Sequence, residues 1–106
     1  MATQTAYSST APSRAELDAL PGTTVVEFGT DWCGYCQGAQ ASIANALEPH
    51  ADVRHLKIED GPGRSLGRSF KVKLWPTLIL IRDGAEVARV VRPANATQIT
   101  EAFASL

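Results

Sequence analysis

Two cysteines, Cys33 and Cys36, are the residues best suited to chemistry, and they are the only cysteines in the chain. A disulfide between them would close a loop too short to stabilise the fold, so the function of the two cysteines must be chemical or metal-binding. The surrounding sequence predicts a strand before the pair and a helix after it. At a helix amino terminus, unpaired N–H groups and the helix dipole lower a thiol pKa from ~8.5 toward ~7 or below. Cys33 is therefore the predicted nucleophile, and Cys36, one turn further on, is the predicted resolving thiol.

The elements that must position this pair follow the order helix, strand, helix, strand, helix, strand, strand, helix. A capping box at 13–16 begins the first helix, and Asn95 offers a cap for the last. Alternation up to Phe70 predicts parallel crossovers, and Asp83-Gly84 predicts a hairpin that adds an antiparallel edge. The result is an α/β fold with a mixed central sheet flanked by helices. The predicted strands are 24–28, 53–58, 77–81 and 86–91, and the middle helices are 34–47 and 66–70.

Length and charge bound the possible functions. The 106 residues suffice for one domain, which we place at 13–106, after a flexible leader or short edge strand at 1–12. The net charge is −1 and no basic stripe is present, which argues against nucleic acid as a partner. No apolar run approaches the ~20 residues of a membrane span. The polar amino terminus lacks the features of a secretory signal, so the expected location is cytoplasmic.

Several motifs around the cysteines resemble the thioredoxin family. Asp31-Trp32-Cys33-Gly34-Tyr35-Cys36 after a buried strand is similar to its active-site loop, and Trp75-Pro76-Thr77 is similar to its cis-proline loop. The resemblance covers roughly 13–106. It implies the thioredoxin fold and dithiol exchange with disulfide-containing client proteins, without a bound cofactor or metal. It also implies recharging by a flavoprotein of the thioredoxin-reductase type.

The resemblance further implies which residues surround a substrate. Pro76 is expected to be cis, which would hold the Trp75 backbone for pairing with a substrate strand. A small glycine of the family is replaced here by Arg92 or Pro93, which would narrow the groove, and an arginine would add positive charge near Cys33. Trp32 is expected to pack beside the redox pair. The residues assigned to substrate binding are Trp32, Gly34, Tyr35, Trp75, Pro76 and Arg92.

Glu27 is an anomaly within a buried strand, because an interior strand rarely carries a carboxylate. It lies where the family places a buried acid behind the second cysteine. Burial would raise its pKa and allow it to accept the Cys36 proton. The alternative is a solvated glutamate at the sheet edge. His55 is the nearest basic neighbour expected on the next strand, and its own titration would then be coupled to that of Glu27.

Gly34-Tyr35 departs from the Gly-Pro that thioredoxins proper have between their cysteines. Proline there favours the reductant, so tyrosine predicts a redox potential above the ~−270 mV of thioredoxin.

Two other classes of function remain open. The first is a metal-binding domain. The spacing of a two-cysteine, two-histidine zinc site is present in Cys33, Cys36, His50 and His55, although Pro49 separates the histidines from the preceding helix. The second alternative is a binding module that has the thioredoxin fold but no redox turnover, since a fold does not determine a function.

Overall fold

Four strands form one mixed sheet, and four helices flank it, in the computed structural model, which describes residues 6–106. The predicted α/β architecture is confirmed. In chain order the elements are α1 (Arg14–Asp18), β1 (Thr23–Gly29), α2 (Gly34–Leu47), β2 (Arg54–Glu59), α3 (Ser65–Ser69), β3 (Thr77–Arg82), β4 (Ala85–Val91) and α4 (Ala96–Ala102). The strand order across the sheet is β2-β1-β3-β4.

The sheet changes direction between β1 and β3. The crossover from β1 through α2 to β2 is parallel, as predicted, but β3 runs antiparallel to β1. The five residues of α3 span only about 7.5 Å, whereas the six residues of β2 span about 20 Å. Because α3 cannot return the chain along the strand, β3 begins at the end of the sheet where β2 stops. The same end of the sheet therefore holds the carboxyl end of β1, the start of α2 and the start of β3.

The predicted hairpin between β3 and β4 is present. Arg82 pairs with Ala85, and Asp83 and Gly84 between them have φ values of 50° and 85°, as a type I′ turn requires. A Cβ at Gly84 would also lie 2.3 Å from the carbonyl oxygen of Asp18, so only glycine fits there.

Two apolar clusters fill opposite faces of the sheet. Val25 lies in the cluster beneath α2 and α4, whereas Val26 lies in the cluster beneath α1 and α3. Side chains alternate along a strand, so Glu27 shares the face of Val25, which α2 covers. This alternation places the carboxylate behind the helix that carries the cysteines.

The segment before α1 contacts the edge of β2. Ser8 forms an isolated parallel bridge with Ile58, and Tyr7 beside it is buried. Of the stretch predicted as a leader or edge strand, residues 1–5 lie outside the described residues. The Ser13–Glu16 capping box at the start of α1 is confirmed. Within 6–106, no helix is long and apolar enough to cross a bilayer.

Candidate active site

The two cysteine sulfurs occupy the amino terminus of α2. Cys33 is the N-cap residue, and its Sγ accepts a hydrogen bond from the backbone N–H of Cys36 at 3.3 Å. Both residues are free thiols and both are buried, with exposures of 8% for Cys33 and 1% for Cys36. The pair is therefore asymmetric, because Cys33 is the thiol nearer to solvent.

The pKa values of the two thiols also differ, and the more exposed thiol has the lower one. Burial opposes the charge on Cys33, but hydrogen bonds from Cys36 and from the Tyr35 backbone, together with the charge of Arg92, lower its pKa. Burial and the hydrogen bond to Cys33 raise the pKa of Cys36 to about 11. Cys33 is consequently the better thiolate, and Cys36 needs help to lose its proton.

Glu27 is fully buried behind this pair and accepts three hydrogen bonds. The donors are His55 Nε2 at 2.9 Å from Oε1, Gln40 Nε2 at 3.0 Å from Oε2, and the Tyr7 hydroxyl, also at Oε2. The solvated alternative for Glu27 is thus wrong. So is the expectation of a raised pKa: burial acts in that direction, but the donors, His55 first, outweigh it and leave the Glu27 pKa below its ordinary value. Glu27 is ionised near neutral pH.

Tyr7 is a site residue that the sequence did not reveal. Its hydroxyl donates a hydrogen bond to Glu27 and also lies near Cys36, where it opposes the rise in the Cys36 pKa. A Cβ built on Gly29 would lie 2.6 Å from Cys36 Sγ and 2.8 Å from the Tyr7 Oη, so the two groups meet over this glycine. Burial, followed by the Glu27 charge, raises the pKa of Tyr7, which keeps the hydroxyl protonated. The only available signal was a lone aromatic residue in a polar segment.

Two further polar residues, Gln40 and Lys57, complete the cluster behind the cysteines. Gln40 donates to the Cys36 carbonyl at 2.7 Å and accepts from Lys57 Nζ at 2.7 Å. Lys57 is the direct register partner of Glu27 and stacks its ammonium 4.7 Å from the centre of the Tyr7 ring. On this strand, only His55 was predicted to neighbour Glu27. The alternation of β2 could have shown that Lys57 shares its face.

The two tryptophans near the redox pair differ in burial and in contacts. Trp75 packs against the cluster of Tyr7, Cys33 and Cys36. Trp32 is 75% exposed and meets the Trp75 ring edge-on, with 5.8 Å between centroids. The Trp75–Pro76 peptide bond is cis, as expected.

Arg92 bridges two sides of the groove around the cysteines. Its Nε donates to the Trp75 carbonyl oxygen at 2.8 Å, and its guanidinium stacks 3.9 Å above the centre of the Tyr35 ring. Its φ of 48° lies in the region that favours glycine, which proline cannot adopt. Of the two residues considered for the glycine position, Arg92 is the one with the glycine-like backbone. Gly34, next to Tyr35, is exposed.

His50 and His55 do not form a metal site with Cys33 and Cys36. His55 Nε2 contacts Glu27, and the described part of the chain contains no group of three or more His, Cys, Asp or Glu side chains placed to hold a metal ion. The spacing that resembled a zinc site is therefore not matched by the positions of these side chains.

A mixed sheet with two cysteines at its strand-to-helix junction defines the class of thiol–disulfide oxidoreductases with a thioredoxin fold. The thioredoxin family model matches residues 7–105. The reduced thioredoxin 2 of Pseudomonas aeruginosa PAO1 is 61% identical, with a TM-score of 0.87 over 97% of this chain and 95% of that one. Thioredoxin-2 of Saccharomyces cerevisiae is 35% identical over 81 residues, which are 76% of this chain and 77% of the yeast protein. The chain belongs to the thioredoxin family.

Proposed function

We propose that this chain reduces or exchanges disulfide bonds in client proteins, with Cys33 as nucleophile and Cys36 as resolving thiol. The observation that carries the proposal is the asymmetry of the pair. Cys33 Sγ caps α2 and has a lowered pKa, whereas Cys36 lies deeper with a raised one. An attacking thiolate and a thiol held in reserve are what two successive exchange steps require.

In the first step, the Cys33 thiolate attacks one sulfur of the client disulfide. A Cys33–client disulfide bond forms, the client bond breaks, and the second client sulfur leaves as a thiolate. The helix amino terminus and Arg92 stabilise the attacking charge before the reaction.

In the second step, Cys36 attacks the Cys33 sulfur of the mixed disulfide. The Cys36 proton passes to the nearby Tyr7 oxygen while the Tyr7 proton passes to Glu27 along the hydrogen bond between them. The Cys33–Cys36 bond forms, and the remaining client cysteine leaves as a thiolate. Because the pKa of Glu27 is lowered, Glu27 holds this proton only transiently.

Formation of the mixed disulfide itself prepares Cys36. The hydrogen bond and the charge of Cys33 both raise the Cys36 pKa in the dithiol form. Once the Cys33 sulfur is bonded to the client, it no longer carries that charge, so the Cys36 pKa falls when its thiolate is needed.

The surroundings of the pair support a proteinaceous substrate. Trp32 and Tyr35 are exposed beside the buried sulfurs and offer apolar contact area, as Trp75 does within the groove. Arg92 holds the Trp75 carbonyl, so a client strand that pairs there must displace this contact. We propose that Gly34 and Pro76 line the same groove. A flavoprotein reductase as electron donor and a cytoplasmic location remain predictions, as does a potential above ~−270 mV.

Single-cysteine variants test the function. With a protein disulfide as substrate and dithiothreitol as the terminal reductant, Cys33→Ser should abolish the catalysed rate. Cys36→Ser should accumulate a covalent complex with the client, detectable by mass spectrometry and released by excess dithiothreitol. Turnover by Cys33→Ser, or a covalent complex formed through Cys36 in the wild-type chain, would contradict the assigned roles.

A further inference from the structure

A basic cavity borders the redox site, and none of the steps above uses it. Its volume is about 510 Å³. Four basic residues line it, Arg64, Arg68, Lys71 and Lys73, together with the single carboxylate of Asp60 and the side of Trp75. The cavity therefore carries three positive charges in excess, although the whole chain has a net charge of −1.

The partners of these charges compensate the positive excess only in part. Arg64 forms an ion pair with Glu59, and the Asp60 carboxylate accepts the Trp75 Nε1–H at 2.8 Å. The side chains of the other three cations, Arg68, Lys71 and Lys73, make no hydrogen bond or ion pair within residues 6–106, and all three are exposed. A concave surface lined by one sign of charge concentrates the potential and attracts ligands of the opposite sign.

Lys71 adds an independent observation. It follows α3 with a φ of 59°, in the left-handed region that glycine or asparagine adopts most readily. The backbone conformation therefore does not account for a lysine at this position.

Trp75 connects the cavity to the reacting sulfurs. One part of this side chain packs on the cluster that contains Cys33 and Cys36, and another part forms the cavity wall. The hydrogen bond to Asp60 fixes the indole between them. A client bound through its cysteine at Cys33 thus has flanking residues within reach of the cavity.

We propose that this cavity binds an acidic segment of the client, close in sequence to the cysteine that Cys33 attacks. The inference rests on the proposed function and adds to it a preference for clients with carboxylates beside their disulfide. Complementary charge acts mainly on encounter and on selectivity, so the effect belongs in kcat/KM.

Two symmetric disulfide-linked peptides test this preference, one with glutamates and one with glutamines around the cysteine. The wild-type chain should reduce the acidic peptide roughly tenfold more efficiently at low ionic strength, as several exposed ion pairs allow. The preference should nearly vanish at ~1 M salt, where the Debye length is about 3 Å. The triple variant Arg68→Gln/Lys71→Gln/Lys73→Gln should lose the preference but reduce 2-hydroxyethyl disulfide at the wild-type rate.

A matched control removes the same charge elsewhere. Arg54→Gln/Arg82→Gln/Arg89→Gln should retain the preference, and an equal loss in this variant would show that only overall charge matters. An unchanged preference in the cavity variant would overturn the proposal.

Binding can also be measured without turnover. An acidic peptide with serine in place of cysteine should shift the NMR signal of Trp75 Nε1–H in the wild type but not in the cavity variant. If that shift is absent, the cavity does not bind acidic peptides, even if both peptide disulfides are reduced. If neither peptide disulfide is reduced, the proposed function itself is refuted.

Discussion

Removal of one hydroxyl group, in Tyr7→Phe, should slow the second exchange step and leave the first one unchanged. The Tyr7 oxygen is the group that links Cys36 to Glu27, and phenylalanine keeps the ring that packs against both cysteines. The pKa of Cys33 is lowered by hydrogen bonds from Cys36 and the Tyr35 backbone and by the charge of Arg92, and the Tyr7 hydroxyl is not one of these groups.

The size of the effect follows from the bond that is lost. A hydrogen bond to a charged group contributes about 1.5–3 kcal/mol, which corresponds to roughly 10- to 150-fold in the rate of resolution. A cavity of about 150 Å³ borders Tyr7, Cys36 and Lys57, and it is large enough to admit water. Proton transfer to water can therefore replace the relay in part, so we expect a slower reaction and not a complete loss.

Stopped-flow reaction of the reduced chain with 5,5′-dithiobis(2-nitrobenzoate) separates the two steps. Attack by Cys33 releases one coloured thiolate, and attack by Cys36 on the resulting mixed disulfide releases the second. Tyr7→Phe should slow only the second phase, most strongly near neutral pH, because at alkaline pH Cys36 ionises without help. Tyr35→Phe is the matched control, since Tyr35 is exposed and stacks with Arg92 through its ring.

Glu27→Gln tests the other end of the same relay. It should slow the second phase near neutral pH, and the double variant with Tyr7→Phe should be little slower than either single variant, because both changes interrupt one path. Fully additive effects, or equal slowing of both phases by Tyr7→Phe, would refute the relay.

Two further substitutions, together with a control in α2, probe the geometry and the charge of the site. Gly29→Ala should lower the free energy of unfolding by about 1–3 kcal/mol and slow the second phase, because its methyl group would overlap the Cys36 sulfur and the Tyr7 ring; urea denaturation measures the first effect. Gly38→Ala, where a Cβ meets open space, should instead stabilise α2 by about 0.5–1 kcal/mol. Arg92→Gln should raise the Cys33 pKa, because it removes a positive charge that lowers it. Iodoacetamide would then alkylate Cys33 more slowly below that pKa and at an unchanged rate well above it, and an unshifted pH profile would show that Arg92 does not act on the thiolate.

Features encoded by neighbouring residues could be predicted from the sequence. The Ser13–Glu16 capping box forms its reciprocal hydrogen bonds within four consecutive residues. The Asp83-Gly84 turn fixes the register of the first two pairs of its strands, Arg82 with Ala85 and Ile81 with Glu86. The cysteine pair at a strand-to-helix junction likewise defines its chemistry within four positions, because one helical turn brings residue i+3 beside the N-cap.

The relay depended on contacts between distant segments. Tyr7 and Glu27 are 20 positions apart, and they meet because the amino-terminal segment pairs with β2 beside the strand that carries the glutamate. No pattern around Tyr7 indicates that its hydroxyl reaches a buried carboxylate. The shift in the Glu27 pKa was predicted with the wrong sign for the same reason: its burial was visible in the sequence, and His55 was an expected neighbour, but the donors Tyr7 and Gln40 were not.

By itself, the sequence determined the redox pair and the helices and strands that carry it, because local spacing and periodicity encode them, and its motifs resemble those of the family to which the chain belongs. Only the tertiary structure decided which groups surround the sulfurs. It brought Tyr7 between Glu27 and Cys36, set Arg92 across the groove onto Trp75, and gathered four basic side chains in one cavity. Hydrogen bonds and electrostatic fields depend on distances in space, and those distances exist only once the sheet and its helices have packed together.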